Sequence, residues 1–236
     1  IQNDDKNLHY NEHNIVEIIN IPDNIENIYL SNNQITSISG RLPINLKILD
    51  LSNNKITSIP GSRGPGTGLP DSLMVLNLDN NQIMLIPDGI ESRLPNKLQE
   101  LFLGGNKITS IPDKFPDSLL ILSLVSNKIT SFPNKLPDNL EILSLENNKI
   151  TSIPSYLSAK LRVLLIDKNQ ITTIPNTNNL EELYITNNKI ESIPDIISIN
   201  LKILCIASNP IKEIEKNKYK CDIIFNKSSD MVFSRQ

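Results

Sequence analysis

The sequence predicts a solenoid: short parallel strands stacked into one continuous sheet, an extended outer side made of turns, and little helix. Three observations carry this. A fifteen-residue pattern recurs nine times. Its first half alternates apolar and polar residues with the period of a strand. Two columns of proline punctuate the rest of each unit.

The pattern is clearest in LKILDLSNNKITSIP (46–60), LEILSLENNKITSIP (140–154) and LEELYITNNKIESIP (180–194), all of which fit L-x-x-L-x-L-x-x-N-x-I-x-x-I-P. Its Asn falls at Asn33, Asn54, Asn81, Asn106, Asn127, Asn148, Asn169, Asn188 and Asn209, at spacings of 19 to 27 residues. A fixed period of this length marks a stack of identical units, none of which can bury its apolar side alone.

The L-x-L segment is a strand too short to be stable by itself. Stacked about 4.8 Å apart, such strands make one parallel sheet, and the recurring Leu and Ile turn inward as columns. The Asn column has a separate task. A buried amide must be hydrogen-bonded, so one Asn per turn is expected to pair with backbone groups left open where each strand bends away. The residue before it is Asn in five units, Gly in one and Ser in two. Those types tolerate a left-handed backbone, which is one reading of Gly104-Gly105. The other is a bare docking notch beside Phe102.

Pro60, Pro87, Pro112, Pro133, Pro154, Pro175 and Pro194 follow the last Ile of their units. Pro22, Pro43, Pro70, Pro95, Pro116 and Pro137 open the LPDNL-type turns. Proline fixes φ and disfavours helix, so the outer side should be extended. Two consecutive units carry insertions, GSRGPGTG (61–68) and a stretch around DGIESR (88–93). The first lacks the G-K-[ST] ending of a phosphate loop and reads as a flexible loop.

This repeat resembles the leucine-rich repeat family, in particular its short bacterial-type class, found in secreted bacterial effectors and some large DNA viruses. The resemblance implies a curved solenoid with the strands lining its concave face. Some members of that class carry a ubiquitin-ligase domain after the repeats. Here 27 residues follow Asn209, too few for one, and the segment around Cys221 lacks the Asp that such ligases place two residues after Cys. The expected organisation is a degenerate N-terminal coil over 1–24, nine repeats over 25–214 and a C-terminal cap over 215–236.

Residues between the fixed strand positions should face the concave side. The central column runs Tyr29, Asp50, Asn77, Phe102, Ser123, Ser144, Leu165, Tyr184 and Cys205, beside one that includes Glu100, Ile121, Ile142 and Glu182. The column after the Asn ladder contains Lys55, Lys107, Lys128, Lys149 and Lys189. Apolar and aromatic patches beside a basic stripe suit a protein partner. The expected binding residues are Tyr29, Asp50, Glu100, Phe102, Leu165, Tyr184, Glu182, Lys107, Lys128 and Lys149, with Tyr29, Phe102 and Tyr184 as anchors. The alternative is a solvated, merely structural face.

Net charge is −3 with 4% aromatic residues and no Trp, which gives no bulk drive toward nucleic acid or anionic membrane. No 18-residue apolar run is present. Two cysteines cannot form a disulfide framework, and the first 30 residues show no basic start followed by an apolar run. An intracellular, reducing compartment is therefore expected. The sequence predicts no cofactor, and a monomer or weak self-association.

One stretch points elsewhere. HYNEH (9–13) reads H-x-x-E-H, an inverted zinc-protease signature, and holds both histidines of the chain. Run backward, however, the repeat puts Leu8, Tyr10, Ile15 and Ile18 on inward positions and His13 where the ladder Asn should stand. On a strand, His9 and His13 would lie about 13 Å apart, and zinc needs both rings within about 2.1 Å. Glu100 and Glu182, about three units apart by the repeat, are too distant for paired acid–base work. The sequence reading is thus a non-enzymatic protein-binding module. Self-association into a surface or particle, or a repeat fragment of a larger enzyme, are the alternatives.

Overall fold

The computed structural model describes residues 6–18, 21–59, 68–87, 94–176, 179–195, 197–212 and 221–224. Each coil contributes one three-residue strand: β1 (Asn7–His9), β2 (Asn27–Tyr29), β3 (Ile48–Asp50), β4 (Val75–Asn77), β5 (Glu100–Phe102), β6 (Ile121–Ser123), β7 (Ile142–Ser144), β8 (Val163–Leu165), β9 (Glu182–Tyr184), β10 (Ile203–Cys205) and β11 (Asp222–Ile224). They form one parallel sheet of 11 strands in chain order. No helix occurs among the described residues. Counting from the first Leu of the pattern, the ladder Asn is position 9 of its coil.

Register follows the repeat without slip. Leu49 pairs with Ile28 on one side and Leu76 on the other. A slip of one residue would turn every inward Leu to solvent. The Leu at positions 1, 4 and 6 and the Ile at position 11 are buried in coil after coil, as with Leu46, Leu49, Leu51 and Ile56. The core is therefore a column of stacked aliphatic layers, closed on the far side by Leu42, Leu69, Leu94, Leu136 and Leu157.

The proline column of the LPDNL-type turns closes them. The carbonyl of Pro43 accepts the N–H of Leu46 at 3.1 Å, and Pro70, Pro95, Pro116 and Pro137 do the same for Leu73, Leu98, Leu119 and Leu140. Ser158 and Ser198 take that role in two later coils. A tight i to i+3 turn with a fixed φ thus returns the chain to the next strand.

Residue 8 of every repeat adopts a left-handed backbone. φ lies between 52° and 64° at Asn32, Asn53, Asn80, Gly105, Ser126, Asn147, Lys168, Asn187 and Ser208, and Glu12 matches them in the first coil. A Cβ on Gly105 would meet Asn80 Oδ1 at 2.2 Å. Gly104-Gly105 therefore belongs to the turn: the side chain of Asn80 fills the space beside Gly105. Residues 61–67 and 88–93 of the insertions, Pro60, residues 213–214 and all of the expected cap over 215–236 except 221–224 lie outside the described residues.

Each ladder Asn reaches back to the coil before it. Asn54 Nδ2 donates to Leu30 O at 3.0 Å in the preceding coil and to Leu51 O at 3.0 Å in its own, while Oδ1 accepts the N–H of Ile35 at 2.9 Å. Asn81, Asn106, Asn127, Asn148, Asn169, Asn188 and Asn209 repeat the set. In the first coil His13 is exposed, and its ring bonds the carbonyl of Asn11. It does not take the ladder role; Asn33 of the next coil accepts its backbone N–H instead.

Candidate functional site

The outward face of the sheet is built from positions 3 and 5, which alternate against the buried Leu at position 4. At its N-terminal end the His9 ring stacks on Tyr29, with centroids 4.6 Å apart and planes 6° from parallel. Strand pairing places them directly opposite. Tyr29, Phe102, Ile121 and Ile142 are half-buried on this face, as is Glu100. Asp50 is taken up locally, its Oδ1 accepting the N–H of Ser52 at 3.0 Å, and Asn77 does the same for Asp79.

Farther along, the same face closes over. Leu165, Tyr184 and Cys205 form a second apolar cluster, flanked by Ile142, Val163, Ile203 and Ile224. Leu165 is 1% exposed and Tyr184 is 7%. The sequence put both at the partner's disposal. Large side chains on neighbouring strands, about 4.8 Å apart, instead cover one another. Tyr184 also donates its hydroxyl to Glu182 Oε2 at 2.9 Å, and burial together with that carboxylate pushes the phenol pKa up. Glu182 is thereby engaged within the protein.

Position 7 holds a feature that the sequence reading passed over. Glu146, Asp167 and Thr186 occupy it in three successive coils. Asp167 is 3% exposed and accepts the N–H of Thr186 at 2.6 Å. Burial, with the Asp167 charge beside it, raises the Glu146 carboxyl to a pKa of about 7. Glu146 Oε2 and Thr186 Oγ1 have no hydrogen-bond partner. Aligning position 7 as a column of its own would have found the two acids; their burial depends on the neighbouring coils.

The two rims differ in charge. Before the strands, Glu26 lies between Lys6 and Lys47, and Glu181 between Arg162 and Lys202. Hydrogen bonds from those cations pull each glutamate to a pKa of about 2. An open cleft of about 510 Å³ runs along this rim, and the charges lining it, including Arg162, Glu181 and Lys202, answer one another. After the strands, Lys107, Lys128 and Lys149 are exposed on successive coils.

The geometry holds little that is suited to bond-making. His9 ends β1 and His13 sits in the turn beyond it, so the helical turn of the H-x-x-E-H signature is not formed. Glu100 and Glu182 lie on β5 and β9, four strand spacings apart and not three. Among the described residues no three His, Cys, Asp or Glu side chains come together as a metal site. Cys205 is buried and in no disulfide, and burial raises the Cys221 thiol, which makes it a poor nucleophile at neutral pH.

Comparison with known proteins adds to this geometry. The family description "Leucine Rich repeats (2 copies)" matches residues 23–64, and "Leucine Rich Repeat" matches 72–92, 97–117, 139–159 and 179–198, together more than half of the chain. No curated protein matches it. Among solved structures, YopM from Yersinia enterocolitica WA-314 superposes with a TM-score of 0.64 at 27% identity, over 89% of this chain and 48% of that one. A chain in the octameric complex of Latrophilin 3 (Lec, Olf), Unc5D (Ig, Ig2, TSP1) and FLRT2 (LRR) gives 0.70 at 26% identity, over 84% of this chain and 65% of that one. The chain thus spans about half the length of the first and just under two thirds of the second.

Proposed function

The chain belongs to the leucine-rich repeat family, and on that premise we propose that it is a non-enzymatic module that binds a protein partner on the concave face of its sheet. The observation that carries this is the half-buried Tyr29 on β2, and the half-buried Phe102, Ile121 and Ile142 on β5 to β7, on the outward face of a sheet whose other surface is packed away. Aromatic anchors on a preorganised face lose little entropy on binding. The octameric complex that includes FLRT2 (LRR) offers a precedent for a repeat of this shape in a multiprotein assembly. That Cys205 and Cys221 form no disulfide suits a reducing, intracellular setting.

The burial of Leu165 and Tyr184 narrows the anchors to Tyr29 and Phe102, with Glu100 and the lysines beside them. The test is affinity capture from the native host with the wild type and with a Tyr29→Ala/Phe102→Ala double variant of matched melting temperature. A protein retained by the wild type and lost by the variant supports the reading. Equal retention by both places the contact elsewhere and overturns it.

A further inference from the structure

Five lysines on five successive coils line the rim that follows the strands: Lys107, Lys128, Lys149, Lys168 and Lys189, all exposed. Four of them stand at position 10. The coil of Lys168 has Gln170 there, and its lysine sits at position 8 instead. Position 8 is the left-handed position. Lys168 holds φ 53°, where the other repeats use Asn, Ser or Gly. A lysine gains nothing from that backbone, whereas Asn and Gly adopt it readily. The row of charge is kept unbroken at a site that resists it, and such outliers gather where function demands them.

The row is also rigid at its base. The N–H groups of Lys107, Lys128, Lys149 and Lys189 each donate to the preceding coil at 2.8 Å, and that of Lys168 donates to Thr186 O in the next coil at 2.9 Å. None of the five forms an ion pair with a carboxylate of the described residues. The acids beside the row in sequence are engaged elsewhere: Asp167 accepts the N–H of Thr186, and Glu191 pairs with Lys212. The opposite rim resolves the same problem by alternating Lys6, Glu26 and Lys47 from coil to coil. Like charges on neighbouring coils repel; Lys107 and Lys189 meet only the neutral amides of Gln82 and Gln170, and a row left in that state awaits anions from outside.

We propose that this lysine row docks an extended acidic segment of a partner protein, laid across the coils. The inference rests on the protein-binding reading and names the chemistry of the bound segment. Four coil spacings span about 19 Å, which an extended peptide covers in about six residues. Thr109, Thr130, Thr151 and Thr172, exposed at position 12, flank the row with hydroxyl donors for carboxylate oxygens. No aromatic side chain stands at position 8, 10 or 12 of these five coils to stack a base, and base stacking is what single-strand readers use. Phe102, Ile121 and Val125, half-buried on the adjoining face, offer apolar contact to the same segment.

The test measures fluorescence anisotropy of a labelled ten-residue peptide of alternating Glu and Ser. The full chain is titrated as wild type, as Lys128→Gln/Lys149→Gln, as Lys168→Asn, and as Lys202→Gln on the opposite rim. A Lys-Ser peptide, a single-stranded DNA decamer and phosphatidylserine vesicles are run in parallel. The expected result is salt-sensitive binding of the Glu-Ser peptide, weakened at least tenfold in the double variant and about threefold in Lys168→Asn, and unchanged in Lys202→Gln. Lys168→Asn should also melt at a higher temperature. Unchanged binding in the double variant, equal loss in Lys202→Gln, or tighter binding of DNA or vesicles than of peptide overturns the proposal. Because this assay needs no native partner, its failure leaves the Tyr29/Phe102 capture experiment to stand or fall separately.

Discussion

The backbone N–H of His13 donates to Oδ1 of Asn33 at 3.0 Å, so the first coil is closed by a side chain of the second. Asn33 Oδ1 accepts the N–H of Ile15 as well, and its Nδ2 donates to Tyr10 O and Leu30 O. The ladder therefore runs backward through the solenoid, and each Asn holds two coils together. His13→Ala should change stability by less than about 0.5 kcal/mol, as an exposed substitution does. Asn127→Ala, in mid-stack, strands the N–H of Ile108, while the carbonyls of Leu103 and Leu124 keep the Nδ2 groups of Asn106 and Asn148. At about 1–3 kcal/mol for a buried group left unsatisfied, that one donor sets the expected cost. Urea unfolding of both variants measures the contrast; equal effects would show that the ladder does not bind coil to coil.

Gly105 tests the left-handed position. Gly105→Ala adds a Cβ 2.2 Å from Asn80 Oδ1 at φ 64°. The backbone penalty alone is about 1–2 kcal/mol, and Asn80 must also move. A lowered melting temperature is expected. Ser126→Gly, at φ 55°, relieves the same backbone and should be neutral or slightly stabilising despite the entropy of the added glycine. If Gly105→Ala melts with the wild type, the conformation carries no penalty there.

Leu165 points outward from the main core, yet it is buried against Tyr184 and Cys205. Leu165→Ala should cost about 2–3 kcal/mol, as buried Leu to Ala changes do. Ser123→Ala, at the same strand position on β6, should be close to neutral. Denaturant midpoints distinguish them, and a loss below about 1 kcal/mol for Leu165→Ala would mean that the second cluster adds nothing to stability.

Glu146 makes stability fall as the solution turns alkaline. Its pKa rises from 4.5 in the unfolded chain to about 7 in the folded one, through burial first and the charge of Asp167 second. Between those values the folded protein holds a proton that the unfolded chain has released. The stabilisation is full below pH 4.5 and is lost as pH climbs through 7, by roughly 3 kcal/mol at most. Glu26 and Glu181 act in the opposite sense: held near 2, they stabilise above about pH 4.5 and lose that contribution as pH falls toward 2. Glu146→Gln should flatten the decline between pH 5 and 8 and be the more stable protein at pH 8. Parallel curves for the two proteins would remove Glu146 from the account.

Much of this was legible in the repeat. The strands, the inward Leu and Ile columns and the left-handed residue before each Asn follow from one local pattern written nine times. The sites were read less well. Tyr29 and Phe102 stand half-exposed where the strand alternation puts them. Leu165 and Tyr184 obey the same alternation and are nonetheless buried, because a large residue on one strand is covered by a large residue on the next. The His-x-x-Glu-His stretch was placed on a strand by running the repeat backward, and β1 with its following turn holds it there.

The sequence by itself determined the architecture, since each unit carries its own strand, turn and inward face, and repetition leaves one way to stack them. Only the tertiary structure decided the surface. Which outward side chains are covered, which carboxyl keeps its proton and which lysines lack a counter-charge depend on residues one coil away. Those neighbours sit 19 to 27 positions distant in the chain. Burial and charge act through space across that gap, whereas the pattern within a unit records only its own alternation.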